Sequence, residues 1–140
     1  MRRKAAETHT RIYKERRWVR ADGKRPLQLS GKFASVAEPK KWHTFQDVQD
    51  GPGDGYGVML GDGLGCYDLD NVTDEQARSF ISQIPDRVLF CERSLSGGGV
   101  HVFVAADEGI GWRKIIDGMS VERYTRARFI RMTGVEFVAR

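Results

Sequence analysis

The stretch GCYDLDN, residues 65–71, places Asp68 and Asp70 two positions apart in a run that otherwise reads as a strand. In an extended chain residues i and i+2 share a face, so the two carboxylates project together while Leu69 turns to the other side. Two neighbouring anions repel unless something positive lies between them. A hard divalent cation, Mg²⁺ or Mn²⁺, fits, because it takes oxygen ligands and needs only one or two carboxylates when substrate phosphates complete its shell. The alternative from these residues alone is that one Asp caps a turn at Asn71 and the other is simply solvated.

Working outward, the 140-residue chain has the size of one domain. A hydrophobic content of 40%, with three Trp and seven Phe, points to a globular fold with a core of its own. No apolar run reaches the roughly 20 residues that span a bilayer, and the charged start MRRKAAETHTRIYKERR lacks the apolar segment of a signal peptide. The expectation is a soluble protein of the cytoplasm with no membrane partner. Cys66 and Cys91 lie in apolar runs without CxxC spacing and read as reduced core thiols.

Charge is unevenly distributed. Residues 1–41 carry 13 Lys/Arg against 4 Asp/Glu, whereas residues 42–140 carry 10 against 15. A basic front beside an acidic remainder suits a polyanion held near a metal site, and it equally suits a solvated basic helix face or tail.

Along the chain, residues 1–20 read as a basic N-terminal arm or helix and residues 21–140 as the body of the fold. WVRADGKRPLQL reads as strand, turn and strand, KKWHTFQDV as a short helical piece anchoring Trp42 and Phe45, and DGPGDGYG as a loop. VMLGDGLGCYDLD has the pattern of a hairpin turning at Gly61–Asp62–Gly63. Thr73 and Gln76 form a capping box before the apolar stripe Phe80, Ile81 and Ile84, which predicts a helix. RVLFCERS and VHVFVA read as strands joined through LSGGG, WRKII as a short helical turn, and MSVERY with RFIRMTG as a last pair of strands. The fold class is α+β, an antiparallel sheet flanked by helices in a minimal single domain.

Two further elements bear on chemistry. In ERSLSGGGVH, residues 92–101, three glycines between strands let backbone N–H groups approach an anion closely, and His101 opens the next strand on the same face as Phe103. No Gly-Lys-Ser/Thr follows, so this is not a Walker A loop. In SVERYTRARFIRMTG, residues 120–134, Glu122 lies in an apolar strand where an uncompensated carboxylate is expensive, which makes it a third candidate metal ligand. Arg128 and Arg131 follow closely, either to neutralise a triphosphate or to pair with surface acids.

Together these elements resemble the archaeo-eukaryotic primase superfamily, in particular the primase/polymerase domain of phages and plasmids. CYDLDN is similar to the first motif of that family, ERSLSGGGVHVFV to the second and SVERY…RFIRMTG to the third, in order, with similarity extending from about Lys24 to Gly134. The resemblance implies a palm fold in which Asp68, Asp70 and Glu122 hold catalytic Mg²⁺ or Mn²⁺ and His101 contacts the triphosphate. It further implies that Ser96, Gly97, Gly98 and Gly99 line a phosphate cradle, with Arg128 beside them. Glu122 stands where the family often has aspartate.

The activity so implied is template-dependent nucleotidyl transfer by a DNA primase/polymerase, joining nucleoside triphosphates to a 3′-hydroxyl on a single-stranded DNA template. The basic front half becomes the expected template contact, with Trp18 or Trp42 available to stack on a base. Related phage proteins append a helicase, so a separately encoded replicative helicase is an expected partner. Two alternatives stay open: a metal-dependent nuclease that activates water with the same carboxylates, and a non-catalytic single-stranded nucleic-acid-binding protein on the same scaffold.

Overall fold

The computed structural model describes residues 11–139 and arranges most of them as two antiparallel sheets and an α-helix that packs on the larger. β1 (Trp18–Asp22), β2 (Arg25–Leu27), β3 (Gly55–Met59) and β9 (Phe129–Met132) form a four-stranded sheet in the order β2-β1-β3-β9. A five-stranded sheet, in the order β5-β6-β4-β8-β7, contains β4 (Leu64–Asp70), β5 (Arg87–Arg93), β6 (Val100–Ala105), β7 (Trp112–Ile116) and β8 (Met119–Tyr124). The helix α1 (Asp74–Gln83) follows β4 directly.

Local sequence explains most of these elements. Thr73 and Gln76 make both bonds of the capping box, with the Gln76 N–H donating to Thr73 Oγ1 and the Thr73 N–H donating to Gln76 Oε1. Ala77 and Phe80 of α1 pack on Tyr67, Leu69, Val100, Val102, Val104 and Val121, which cover one face of the larger sheet. The opposite face contributes Leu64, Cys66 and Phe103 to a second core, shared with Trp18, Val58, Ile130 and Met132 of the smaller sheet. The larger sheet is therefore buried on both sides over much of its area. The alternation expected for β6 holds, with Phe103 facing the smaller sheet and Val102 and Val104 facing α1.

Both cysteines are free and buried, on opposite faces of the sheet, and burial pushes both thiols up, Cys91 to about 12. They read as inert core residues. Among the described residues no helix is long and apolar enough to cross a membrane.

Four expectations need correction. WRKII is not helical: Trp112–Ile116 is the edge strand β7, paired with β8 from Trp112↔Arg123 to Ile116↔Met119. Gly61, Asp62 and Gly63 do turn the chain, all with positive φ, but β3 and β4 then diverge into different sheets instead of pairing as a hairpin. The strands β8 and β9 likewise part company, one entering each sheet. Trp18 is fully buried, with its indole Nε1 donating to the Ile12 carbonyl, so it offers no face to a base. Trp18 opens β1, and residues 1–10 of the expected arm lie outside the described residues.

Candidate active site

The strands of the larger sheet bring the predicted residues onto one face. Register pairs Asp68 of β4 with His101 of β6 on one side and with Glu122 of β8 on the other. It continues outward from His101 to Glu92 of β5, and from Glu122 to Arg113 of β7. One cross-strand row therefore reads Glu92, His101, Asp68, Glu122, Arg113, five ionisable residues side by side. Directly opposed residues on one face lie within about 4.5–5.5 Å at Cβ, close enough for side chains of neighbours in this row to meet. Asp70 stands two residues along β4 on the same face.

Further along that face the side chains are the apolar Cys66 and Leu64, which close the space between the sheets. At the polar end the sheets leave a cleft of about 390 Å³. Asp68, Asp70, His101 and Glu122 line it from the larger sheet, and Lys24, Arg128 and Phe129 from the other side.

His101 Nε2 lies 3.4 Å from Asp68 Oδ1, and His101 Nδ1 is buried with no hydrogen-bond partner among the described residues. Leaving a buried polar atom unpaired costs about 1–3 kcal/mol. Burial pushes the Asp68 carboxyl up, but His101, Lys24 and Arg128 outweigh it and hold the group below its ordinary value, as a carboxylate. Glu122 is buried and held in place: Tyr124 donates its hydroxyl to Oε1, Arg113 lies 3.3 Å from the same oxygen and Arg128 4.0 Å away. The bond to Glu122, with some burial, raises the Tyr124 phenol. Arg128 also lies 4.1 Å from the centre of the Tyr124 ring.

The donor chemistry of Asp68, Asp70 and Glu122, carboxylates on neighbouring strands of one face, fits a hard divalent cation. Their side chains stand apart in this arrangement, and among the described residues no three His, Cys, Asp or Glu groups converge on a metal position. Glu122 Oε1 is engaged by Tyr124 and Arg113, so Oε2 is the oxygen this carboxylate would offer to a cation.

Ser96 and the three glycines lie apart from this group. Gly97 N–H donates to the Ser94 carbonyl, Gly98 N–H to Ser96 Oγ and Gly99 N–H to Ser94 Oγ, so all three amides serve the turn itself. The Gly98 carbonyl accepts from Val72 N–H, tying the turn to the end of β4. Only Leu95 of this turn lines the cleft. Arg131 is likewise committed: its guanidinium donates to the Gly23 carbonyl and to Asp54 Oδ1, both at 2.7 Å.

Sequence reasoning missed Glu92 and Lys24. Glu92 is buried, and its carboxylate accepts from the backbone N–H groups of Thr133 and Gly134 at 2.9 and 3.1 Å. Burial raises its carboxyl, although these bonds and His101 oppose the shift. Counting equal steps outward from the glycine turn pairs Glu92 with His101, a signal present in the sequence. Lys24 follows the tight turn at Gly23, and nothing local shows that this turn folds over the carboxylates.

A larger cavity, about 480 Å³, lies on the opposite face between α1 and β7, walled by Tyr67, Phe80 and Trp112 above the Asp86–Arg123 ion pair. It contains none of the predicted site residues. No family model, curated protein or solved structure matches the chain.

Proposed function

We propose that this chain is a template-dependent nucleotidyltransferase of the primase/polymerase type, with the five-stranded sheet as its palm and α1 behind it. The observation that carries the reading is the cleft itself, in which Asp68 and Asp70 share one face with His101 and Glu122 in register and face two cations, Lys24 and Arg128.

Asp68, Asp70 and Glu122 are the residues that would hold Mg²⁺ or Mn²⁺. A cation held there would lower the pKa of an attacking hydroxyl and offset negative charge on the transferred phosphoryl group. The chain's own residues position and neutralise. Lys24 and Arg128 draw the triphosphate to the cleft, and Arg128 approaches with its guanidinium already oriented against Tyr124. His101, fixed by β6 and by Asp68, holds its ring beside the carboxylates at the floor of the cleft, where it contributes to binding the triphosphate. Arg113 balances the charge of Glu122 from the neighbouring edge strand. Single-stranded DNA is the proposed template and nucleoside triphosphates the proposed substrates.

A second reading, a nucleic-acid-binding scaffold without catalysis, draws support from the Glu122 carboxylate, already engaged by Tyr124 and Arg113, and from the three glycine amides spent within their own turn. One experiment separates these readings and a nuclease. An end-labelled primer annealed to a longer single-stranded DNA template is incubated with Mg²⁺ or Mn²⁺, with and without nucleoside triphosphates. Lengthening that requires triphosphates supports the transferase, shortening without them a nuclease, and retention of intact DNA in both cases the scaffold.

A further inference from the structure

Among the residues lining the cleft, Phe33 is out of character: 58% of its surface is exposed, where a phenylalanine ordinarily takes its place in a core. A loose loop does not explain this. Gln28 N–H donates to the Lys32 carbonyl at 2.7 Å, Gln28 Nε2 to the Phe33 carbonyl at 2.9 Å, and Ala34 N–H to the Pro26 carbonyl at 3.0 Å. The next residue, Ala34, is fully buried, so the bonded backbone turns Ala34 inward and Phe33 outward.

The lining of the cleft is amphipathic. Phe33 stands with Pro26 and Val36 as an apolar wall, Leu95 forms a second exposed apolar residue, and Lys24 and Arg128 supply positive charge beside the carboxylate floor. Arg131 does not add to that charge, because Asp54 and backbone carbonyls occupy it. A ligand suited to such a lining has a polyanionic end and a flat apolar end. Resting on the nucleotide reading above, we infer that Phe33 is the base platform of the cleft: the nucleobase of a nucleoside triphosphate stacks on its ring while the phosphates meet Lys24 and Arg128.

Stacking on a phenyl ring tolerates any base, since each has a π-face, so the four nucleoside triphosphates bind with similar affinity. The test is calorimetric titration of ATP and of inorganic tripolyphosphate, both with Mg²⁺, into wild type, Phe33→Ala, Phe33→Tyr and Lys24→Ala/Arg128→Ala. Exposure of Phe33 leaves the fold of its variants intact, which circular dichroism checks. Phe33→Ala is expected to weaken ATP by about 5- to 150-fold, the cost of losing one base–aromatic stack, with tripolyphosphate unchanged. Phe33→Tyr restores ATP affinity, and the double variant weakens both ligands.

Wild-type affinity for ATP in Phe33→Ala overturns the inference and leaves the proposed function standing on its own assay. Phe33-dependent ATP binding without any nucleotide incorporation sustains the inference and overturns the function. Failure of wild type to bind either ligand overturns both.

Discussion

Arg20 offers a direct test of how the basic front half of this chain is used. By composition it belongs to the cationic surface expected to meet a template, yet the structure turns it inward. Its Nε donates to the Pro52 carbonyl at 2.9 Å, one terminal nitrogen to Val48 at 3.0 Å and the other to Gly51 at 3.2 Å. One guanidinium thus fastens residues 48–52, the loop leading into β3. Arg20→Met retains most of the apolar stem and removes these bonds together with a longer one to the Gly53 carbonyl at 3.5 Å. Hydrogen bonds from a charged donor contribute about 1.5–3 kcal/mol each, and some of the freed carbonyls regain water, so the expected loss is about 3–5 kcal/mol in total. That is a large share of a typical stability of about 5–15 kcal/mol. With a urea slope of about 1–3 kcal/mol/M, the unfolding midpoint falls by about 2 M. Arg20→Lys keeps the charge but not the fork, and falls between. The paired assay is the salt dependence of single-stranded DNA binding. Each phosphate contact contributes about 0.7 to the slope of log K against log salt for single strands. Arg20→Met is expected to leave that slope unchanged under conditions where it remains folded. An unchanged urea midpoint together with a slope reduced by about 0.7 would refute the inward assignment.

Two more predictions concern the turn and the buried carboxylate. A Cβ at Gly99 would lie 2.6 Å from the Leu69 carbonyl oxygen and 3.0 Å from Ser94 Oγ, so Gly99→Ala is expected to lower stability by about 1–3 kcal/mol; an unchanged melting temperature would count against the packing of the turn on β4. Burial raises the Glu92 carboxyl above its ordinary 4.5, so the folded chain retains a proton that the unfolded chain has released. The stability linked to this group is present below pH 4.5 and declines as pH rises through the folded value. Glu92→Gln is therefore expected to flatten the fall in urea midpoint above pH 4.5, and a wild-type midpoint that climbs relative to the variant over that range would contradict the sign.

Short-range signals carried the elements that the sequence revealed. The capping box at Thr73 fixed the start of α1, and the glycine turn announced the β5–β6 hairpin. Period-two alternation in GCYDLDN set Asp68 and Asp70 on one face, with Leu69 in the core behind them.

What escaped the sequence depends on distant partners. Gly61–Asp62–Gly63 looks like a hairpin turn, but the assignment of β3 to the smaller sheet is decided by β1 and β9. That pairing needs Gly57, where a Cβ would come within 2.3 Å of the Ile130 carbonyl oxygen, a contact unreadable without β9 in place. WRKII, five residues long, is compatible with a helical or an extended period, and only its pairing with β8 resolves it. Charge counting could not distinguish solvated arginines from Arg17, Arg20 and Arg131, each buried with its guanidinium on backbone carbonyls. The glycine-rich turn showed the reverse problem: its composition suits an anion, while Ser94 and Ser96 already accept its amides.

The central claim is that Asp70 acts chemically in the cleft. Asp70 is exposed at the end of β4, so Asp70→Asn changes its charge at nearly constant volume without disturbing the core. The decisive measurement is incorporation of labelled nucleotides on primed and unprimed single-stranded DNA with Mg²⁺ or Mn²⁺, by wild type and by Asp70→Asn of equal urea midpoint. The account predicts template-dependent product from wild type and none from the variant. Equal product from both, or none from wild type under any of these conditions, would contradict it.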